Sequence, residues 1–252
     1  MGKILVIGDS CIDTFIYGTS ERMCPDVPVP VFIPEKKISN GGMALNVYEN
    51  ILSIHKDVDI ITNDNKINKI RYVESRNNYM FLRVDSEKTE LARISNIESV
   101  DFNSYDIVVI SDYCKGFLTE SDIEYICNNH DNVFIDTKKI IGDFCVNAKI
   151  IKINNHEYNY NIKVGVDMSK FTHNLLVTLG SDGCRYLNKT YPVADVEIKD
   201  MCGAGDTFLS SLVVKYIENR DIEESINFAN ECSTIIVQHM GVNRIGDFIN
   251  IK

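Results

Sequence analysis

Short apolar runs, most of them ending in a polar residue or glycine, constrain this chain more than any other feature. Ile4–Ile7, Ile107–Ile110, Val133–Ile135, Ile150–Ile153 and Leu175–Leu179 lack the alternation of a half-exposed strand. They read as strands buried on both faces, the property of a parallel sheet covered by helices. Helical patterns lie between several of them, and strands alternating with helices predict a doubly wound α/β sheet. Ligands of such sheets bind beyond the carboxyl ends of the strands, where Gly8-Asp9, Ser111-Asp112, Asp136 and Asn154 fall.

The clearest helix follows Gly203-Ala204-Gly205-Asp206, with Phe208, Leu209, Leu212, Val213, Tyr216 and Ile217 along one face. A second starts near Asp221, and its inner stripe runs from Ile222 through Ile226, Ala229 and Ser233 to Met240. A third opens at Gly41-Gly42 and continues through Val47, Ile51 and Ile54. Two stretches break the alternation: residues 13–38, rich in proline, and residues 69–85, two strands joined at Asn77-Asn78. Both have hairpin composition. They predict a small β-sheet lid, with Val27, Val29, Val31 and Phe32 forming an exposed apolar face. A chain of 252 residues is long enough to bury one sizeable core, so residues 1–252 are expected to form a single domain carrying that lid.

Charge and cysteine usage narrow the function. The 26 Lys and Arg stand against 36 Asp and Glu, a net charge of −10. Such a field disfavours sequence-independent binding to nucleic acid or anionic membrane. An anionic substrate must then be captured by backbone N–H groups and a few placed cations. The eight cysteines contain no C-x-x-C pair and the five histidines no metal-ligand pair, pointing to free thiols in a reducing cytoplasm and away from a zinc site. No apolar run reaches the ~18 residues of a membrane span, and Asp9 interrupts any signal-peptide core.

The strongest chemical motif is Asp200-Met201-Cys202-Gly203-Ala204-Gly205-Asp206. Its small residues let the backbone turn tightly and present N–H groups at a helix N-terminus, an arrangement that stabilises an anion. Asp206 is placed to take a proton from an attacking hydroxyl while those amides hold phosphoryl charge; alternatively it is a first-turn carboxylate that only favours the helix. Gly41-Gly42 with Asn46 offers close backbone approach to a ligand, or merely a tight turn. Asn154 and Glu157, three residues apart at a helix start, face one side and suit a Mg²⁺ water shell, or simply a polar helix start. Neither G-x-G-x-x-G nor G-x-x-x-x-G-K-[ST] occurs, which argues against a dinucleotide fold and Walker-type ATP binding.

Taken together, Gly41-Gly42-x-x-x-Asn46, Asn154-x-x-Glu157, Val177-Thr178-x-Gly180 and Gly203-Ala204-Gly205-Asp206 resemble the ribokinase-like, PfkB-type family of sugar kinases. Within it, Gly8-Asp9-x-x-x-Asp13, Pro25-Asp26-Val27-Pro28-Val29-Pro30, Ile70–Asn77, Arg83-Val84-Asp85 and Ser111-Asp112-Tyr113-x-Lys115-Gly116 are similar to the kinase domains of bifunctional ADP-heptose synthases. The resemblance implies a ribokinase-like, mostly parallel α/β sheet flanked by helices. It also implies an ATP- and Mg²⁺-dependent enzyme that phosphorylates C1 of D-glycero-D-manno-heptose 7-phosphate. Another sugar or nucleoside acceptor, or a non-catalytic sugar or nucleotide sensor, stays open.

Carried over residue by residue, Asp206 is the base and Gly203, Ala204 and Gly205 the anion hole. Asp13, Gly41, Gly42 and Asn46 bind the sugar, and Arg22, Arg76, Arg83 and Lys115 its phosphate. Lys138, Asn154, Glu157, Thr178, Gly180, Ala229 and Asn230 border the nucleotide, and Asn154 and Glu157 also position the metal. The arginines, with Arg71, have carboxylates nearby in sequence, Glu74, Asp85 and Glu87, that compete for them. The resemblance further implies a homodimer paired through the lid and a separate nucleotidyltransferase for any following step. There are departures: the segment from Leu52 to Ile70 is short and lacks a strand–helix portion, residues 158–173 are abbreviated, and Cys202 replaces a threonine, which puts a monovalent-cation site in doubt.

Overall fold

The computed structural model describes residues 2–64, 67–86 and 91–249; Glu87 lies outside them. Numbered in chain order, the main sheet comprises β1 (Ile4–Gly8), β4 (Val58–Thr62), β7 (Ile107–Asp112), β8 (Val133–Thr137), β9 (Ile150–Asn154), β10 (Leu175–Thr178), β11 (Cys184–Tyr186) and β12 (Lys189–Tyr191). Their order across the sheet is β12-β11-β10-β9-β8-β7-β1-β4. The strands from β10 to β4 are parallel, and β11 and β12 add an antiparallel edge. The alternation of strands and helices is thus realised as an α/β sheet.

Alternate residues of β1 enter different cores. Ile4 and Val6 pack with Val109, Phe134 and Leu176 against α1 (Ala44–Ile54), α4 (Ala204–Asn219) and α5 (Ile222–Ile236). Leu5 and Ile7 pack with Val108, Ile110, Ile135 and Ile151 on the other face, which α2 (Glu120–Asn129) and α3 (Asn155–Lys163) help cover. All four β1 side chains are fully buried, each contributing roughly 1.5–3 kcal/mol of transfer free energy. This two-sided burial explains the unbroken apolar runs.

A second sheet has the order β3-β2-β5-β6, from β2 (Ser10–Met23), β3 (Pro30–Met43), β5 (Ile67–Glu74) and β6 (Met80–Asp85). The β5–β6 turn places Asn78 at φ 58°, a left-handed conformation that asparagine tolerates well. Pro30 and Pro34 sit on β3, an edge strand, where a missing N–H is harmless. Val27 and Val29 are exposed as expected, as are Met23, Ile33, Tyr79 and Leu82. Val31 and Phe32 are only half-buried, and the Phe32 ring meets Tyr72 and Phe81 edge-on at 5.5 and 5.8 Å. Phe32 therefore packs within the sheet itself.

Two boundaries differ from the sequence reading. The helix expected at Gly41-Gly42 starts at Ala44, because β3 continues pairing with β2, Gly41 opposite Ile12 and Gly42 opposite Cys11. A Cβ on Gly42 would lie 2.5 Å from Cys11 Sγ, so close strand approach requires glycine there. The α5 helix ends at Ile236, leaving Met240 in the following turn and exposed. The short segment after Leu52 retains a strand, β4, paired to β1.

Among the described residues no helix is long and apolar enough to cross a membrane. All eight cysteines are unpaired, five of them buried.

Candidate active site

The α4 helix begins on Gly203, whose φ of 79° turns the chain into the helix. The Ala204 N–H is taken by the Met201 carbonyl at 3.3 Å, whereas the Gly205 and Asp206 N–H groups, in the first turn, have no intrahelical acceptor. Gly205 has no side chain to cover them, and a Cβ there would lie 3.1 Å from Lys152 Nζ. Asp206 is buried, with 8% of its surface exposed. Its Oδ2 accepts from Asn46 Nδ2 at 2.7 Å and its Oδ1 from the Tyr113 hydroxyl at 2.8 Å. Burial raises the Asp206 pKa; the Asn46 and Tyr113 hydrogen bonds oppose the rise without cancelling it.

Asn46 comes from the first turn of α1. The Asn50 amide donates to both Asn46 O (3.0 Å) and Asn46 Oδ1 (3.2 Å), which turns the Asn46 NH₂ toward Asp206. Tyr113 comes from the loop after β7. Burial and the nearby Asp206 and Asp136 charges push its phenol well above the usual tyrosine value.

A second charged group lies beside the helix start. Lys152 of β9 and Asp136 of β8 are both buried and 2.5 Å apart. Lys138 stands 3.6 Å from Asp136 and also pairs with Glu157. Burial pushes the Asp136 carboxyl up, but the Lys152 and Lys138 charges outweigh it and hold the group below the ordinary range. Desolvation pulls Lys138 down, and Asp136 and Glu157 more than restore it.

Two adjoining cavities meet at this point. One, of about 540 Å³, is lined by Tyr113, Asp136, Lys138, Lys152, Asn154, Gly203 and Asp206 among others. The other, of about 450 Å³, has apolar walls from Val193, Val196, Ile198, Phe208 and Val237 with Asn230 at its side. Thr178, Gly180, Met201 and Gly205 border both. The first carries charges of both signs, Lys138 and Lys152 with Asp136 and Asp206, the second is largely apolar, and the α4 N-terminus lies between them.

The expected residues divide. Gly203, Ala204, Gly205, Asp206, Lys138, Asn154, Thr178, Gly180 and Asn230 line the two cavities. Ala229 is fully buried in the core beneath α5 and borders neither, which corrects its placement at the nucleotide. Asp13 is buried and joined to Arg71, a neighbour two strands' width from Gly41-Gly42 through the β2–β3 pairing. Arg71 and Arg83 are directly opposite on β5 and β6. Both lie close enough to the Cys11 and Cys202 thiols to act on them electrostatically. Arg83 is held by Asp85 through two hydrogen bonds of 2.8 and 2.7 Å. Arg76 is exposed and paired with Glu21, Arg22 is exposed, and Lys115 is half-buried in the loop that follows Tyr113.

Asn154 and Glu157 do not offer a ready set of direct metal ligands. Asn154 Oδ1 accepts from the Glu157 N–H at 2.9 Å, and Glu157 Oε2 accepts from the Asn154 N–H at 2.8 Å, a reciprocal cap on α3. The other Glu157 oxygen receives Lys138. Among the described residues no group of three or more His, Cys, Asp or Glu is arranged to hold a metal ion. The pair fits a hydrated ion carried by a ligand rather than an ion bound directly by protein. Beside the anion loop, Asp200 accepts from the Cys202 and Gly241 N–H groups at 2.9 Å each. Burial pushes the Cys202 thiol up to about 11.

Two participants were not singled out as site residues from the sequence. Lys152 was hidden inside an apolar strand, although a lysine between Ile151 and Ile153 in a fully buried run is itself a signal. The Tyr113–Asp206 contact joins residues 93 positions apart and has no local signature.

A mostly parallel α/β sheet with a glycine-rich helix start, a buried carboxylate and a second sheet is the architecture of the ribokinase-like kinases. The ribokinase of Thermotoga maritima superposes with a TM-score of 0.73 at 16% identity, over 96% of this chain and 95% of that one. An Arabidopsis thaliana ribokinase, solved with ribose and ATP, gives a TM-score of 0.66 at 14% identity over 97% and 94%. The sequence profile of the pfkB family of carbohydrate kinases matches residues 55–246. This chain belongs to that family. Among curated relatives, the bifunctional protein HldE of Helicobacter pylori strain HPAG1 is 28% identical over 96% of this chain. The chain spans 64% of that relative's length.

Proposed function

We propose that this sugar kinase transfers the γ-phosphoryl group of ATP to the C1 hydroxyl of D-glycero-D-manno-heptose 7-phosphate. The observation that carries the reading is the position of Asp206: a buried carboxylate in the first turn of α4 that lines the cavity holding Lys138 and Lys152, which adjoins the apolar cavity at Gly205. The similarity to HldE over 96% of the chain supports heptose 7-phosphate as the acceptor. The apolar cavity suits the adenine ring, with Thr178, Gly180 and Asn230 at its border. The triphosphate would then run past Gly205 toward Lys138 and Lys152, and the sugar would lie under the second sheet near Asp13, Gly42 and Asn46. Residues 1–252 act as one domain in this reading, with segments 13–38 and 69–85 as its lid.

In the transfer, the acceptor oxygen forms a bond to the γ-phosphorus as the bond to the β–γ bridging oxygen breaks and ADP leaves. The hydroxyl proton passes to Asp206. The N–H groups of Gly205 and its neighbours, with Lys152, meet the charge on the equatorial oxygens, so catalysis is mainly positioning and charge stabilisation. Mg²⁺ held by the nucleotide would neutralise phosphate charge, with Asn154 and Glu157 touching its water shell.

A coupled ADP-release assay over sugars and sugar phosphates tests the reading. Fastest turnover is expected with heptose 7-phosphate. Faster turnover of another acceptor would reassign the substrate, and none with any acceptor would leave a binding protein.

A further inference from the structure

Tyr113 belongs to no role assigned above, yet its placement is overdetermined. Asp9, at the end of β1 and fully buried, accepts from the N–H groups of Tyr113 (2.7 Å), Lys115 (3.3 Å) and Phe117 (3.2 Å). The loop after β7 is thus wrapped round one carboxylate. Asp112, also fully buried, accepts from the Cys114 N–H at 3.1 Å, the Thr137 hydroxyl at 2.6 Å and Lys139 Nζ at 2.7 Å. These contacts fix the loop from which the Tyr113 phenol reaches Asp206 Oδ1, while the Lys138 ammonium lies over its ring at 5.5 Å from the centroid.

We propose that Tyr113 is the positioning residue of the base: its phenol holds the Asp206 carboxylate in its proton-accepting form and turns it toward the acceptor hydroxyl. A hydroxyl donating to a carboxylate is a charge-assisted hydrogen bond that favours the ionised partner. Burial works against that form at Asp206, so the buried carboxylate depends on its two donors. Asn46 serves one oxygen and Tyr113 the other. Other described groups that act on Asp206 include Asp136 on β8, Lys152 on β9, Lys138 and the Cys11 thiol on β2. None of these four shares a hydrogen bond with it; the two direct ones come from Asn46 and Tyr113.

The inference rests on Asp206 as the base, and its test is arranged to read the carboxylate with and without turnover. Protein labelled with ¹³C in the aspartate carboxyls is titrated by NMR in the absence of substrate, with the Asp206 signal assigned through Asp206→Asn. Tyr113→Phe is expected to move the Asp206 midpoint to higher pH. In kinetics with MgATP and heptose 7-phosphate, the loss in kcat should deepen toward acid pH and reach about tenfold there, the effect of one hydrogen bond to a charged group. The KM for ATP should stay within twofold. Site-specific 3-fluorotyrosine at position 113, a stronger donor of nearly the same shape, should move the midpoint in the opposite direction, which protects the test against a phenylalanine variant that folds poorly. An unmoved midpoint in both proteins, or an equal loss of kcat at every pH, overturns the proposal. If the wild type does not turn over heptose 7-phosphate, the substrate reading fails, and the NMR midpoints still decide the role of Tyr113.

Discussion

Asn46 Nδ2 and Asp206 Oδ2 lie 2.7 Å apart although 160 residues separate them. The contact ties α1, the helix that follows β3, to the helix that follows Gly203. Asp206→Asn is expected to lower kcat by roughly 10²–10⁴-fold, the usual contribution of a positioned base, with ATP binding retained. The same substitution should stabilise the fold at neutral pH. Because burial raises the folded-state pKa of Asp206, its contribution is fully present below the unfolded value and is lost as pH rises through the folded one. Thermal melts should therefore show a gain for the variant near pH 8 that vanishes toward pH 4. A variant keeping more than a third of wild-type kcat would remove Asp206 from the role of base.

Gly203 is the position where backbone geometry and the site are most tightly joined. Its φ of 79° is costly for any residue with a Cβ, by about 1–2 kcal/mol. An added Cβ would also lie 3.1 Å from Asn46 Nδ2. Gly203→Ala should cost about that much in urea unfolding and lower kcat, since the Asn46 amide that donates to Asp206 must shift to make room. An alanine variant with wild-type kcat would show that the Asn46 contact absorbs the shift.

Lys152 and Asp136 form the buried ion pair nearest the anion loop. Lys152→Met leaves Asp136 with only Lys138, at 3.6 Å, and breaking a buried pair typically costs ~3–5 kcal/mol. The Asp136 folded-state pKa is depressed, so its stabilisation is present above the unfolded value near 4 and is lost as pH falls through the folded one. Urea unfolding should show the largest gap between wild type and variant at pH 7 and a shrinking gap below about pH 4. A constant gap across that range would mean that Lys152 acts through packing instead.

Local patterns carried the sheet and the anion loop because both are written in neighbouring residues. Five apolar runs report burial on two faces, and three small residues before an aspartate report a helix start. Long-range contacts wrote nothing comparable. The β2–β3 register extends the strand through Met43 and overrides the helix signal of Gly41-Gly42. Ala229 and Asn230 were both placed at the nucleotide, but successive helical residues point about 100° apart, so Asn230 reaches the cavity while Ala229 enters the core. Lys152 was masked by the apolar strand around it, which is also the reason it is buried.

The second sheet exposes Met23 (56%), Leu82 (54%) and Ile33 (51%), and Val27 (52%) is exposed in the connection between β2 and β3. Apolar surface gathered on one small sheet marks an interaction face, and a two-fold pairing with a second copy of the chain is the simplest way to cover it. Light scattering at micromolar concentration should give a dimer, and Leu82→Glu combined with Val27→Glu should give a folded monomer. A wild-type monomer would rule out this pairing.

A chain of net charge −10 needs local cations to hold a phosphorylated sugar. Arg76 pairs with Glu21 on an exposed stretch, whereas Arg71 and Arg83 face each other across β5 and β6 within electrostatic reach of Cys11 and Cys202. Cys202 immediately precedes Gly203, so on the proposed heptose 7-phosphate reading these two arginines, with Lys69 of β5 beside Cys11, are the candidates for the phosphate. Arg71 also holds Asp13, which makes Arg83 the cleaner probe. Its guanidinium already grips the Asp85 carboxylate with two hydrogen bonds, the bidentate geometry it would offer a phosphate. Wild type should prefer heptose 7-phosphate to free heptose by more than tenfold in kcat/KM, a gap above ~1.4 kcal/mol. Arg83→Ala should remove most of that preference with the KM for ATP unchanged, and Arg76→Ala should change it less than threefold. Equal turnover of the free and phosphorylated sugars by wild type would end the sugar-phosphate assignment, and a larger effect at Arg76 than at Arg83 would move the phosphate to the outer end of the sheet.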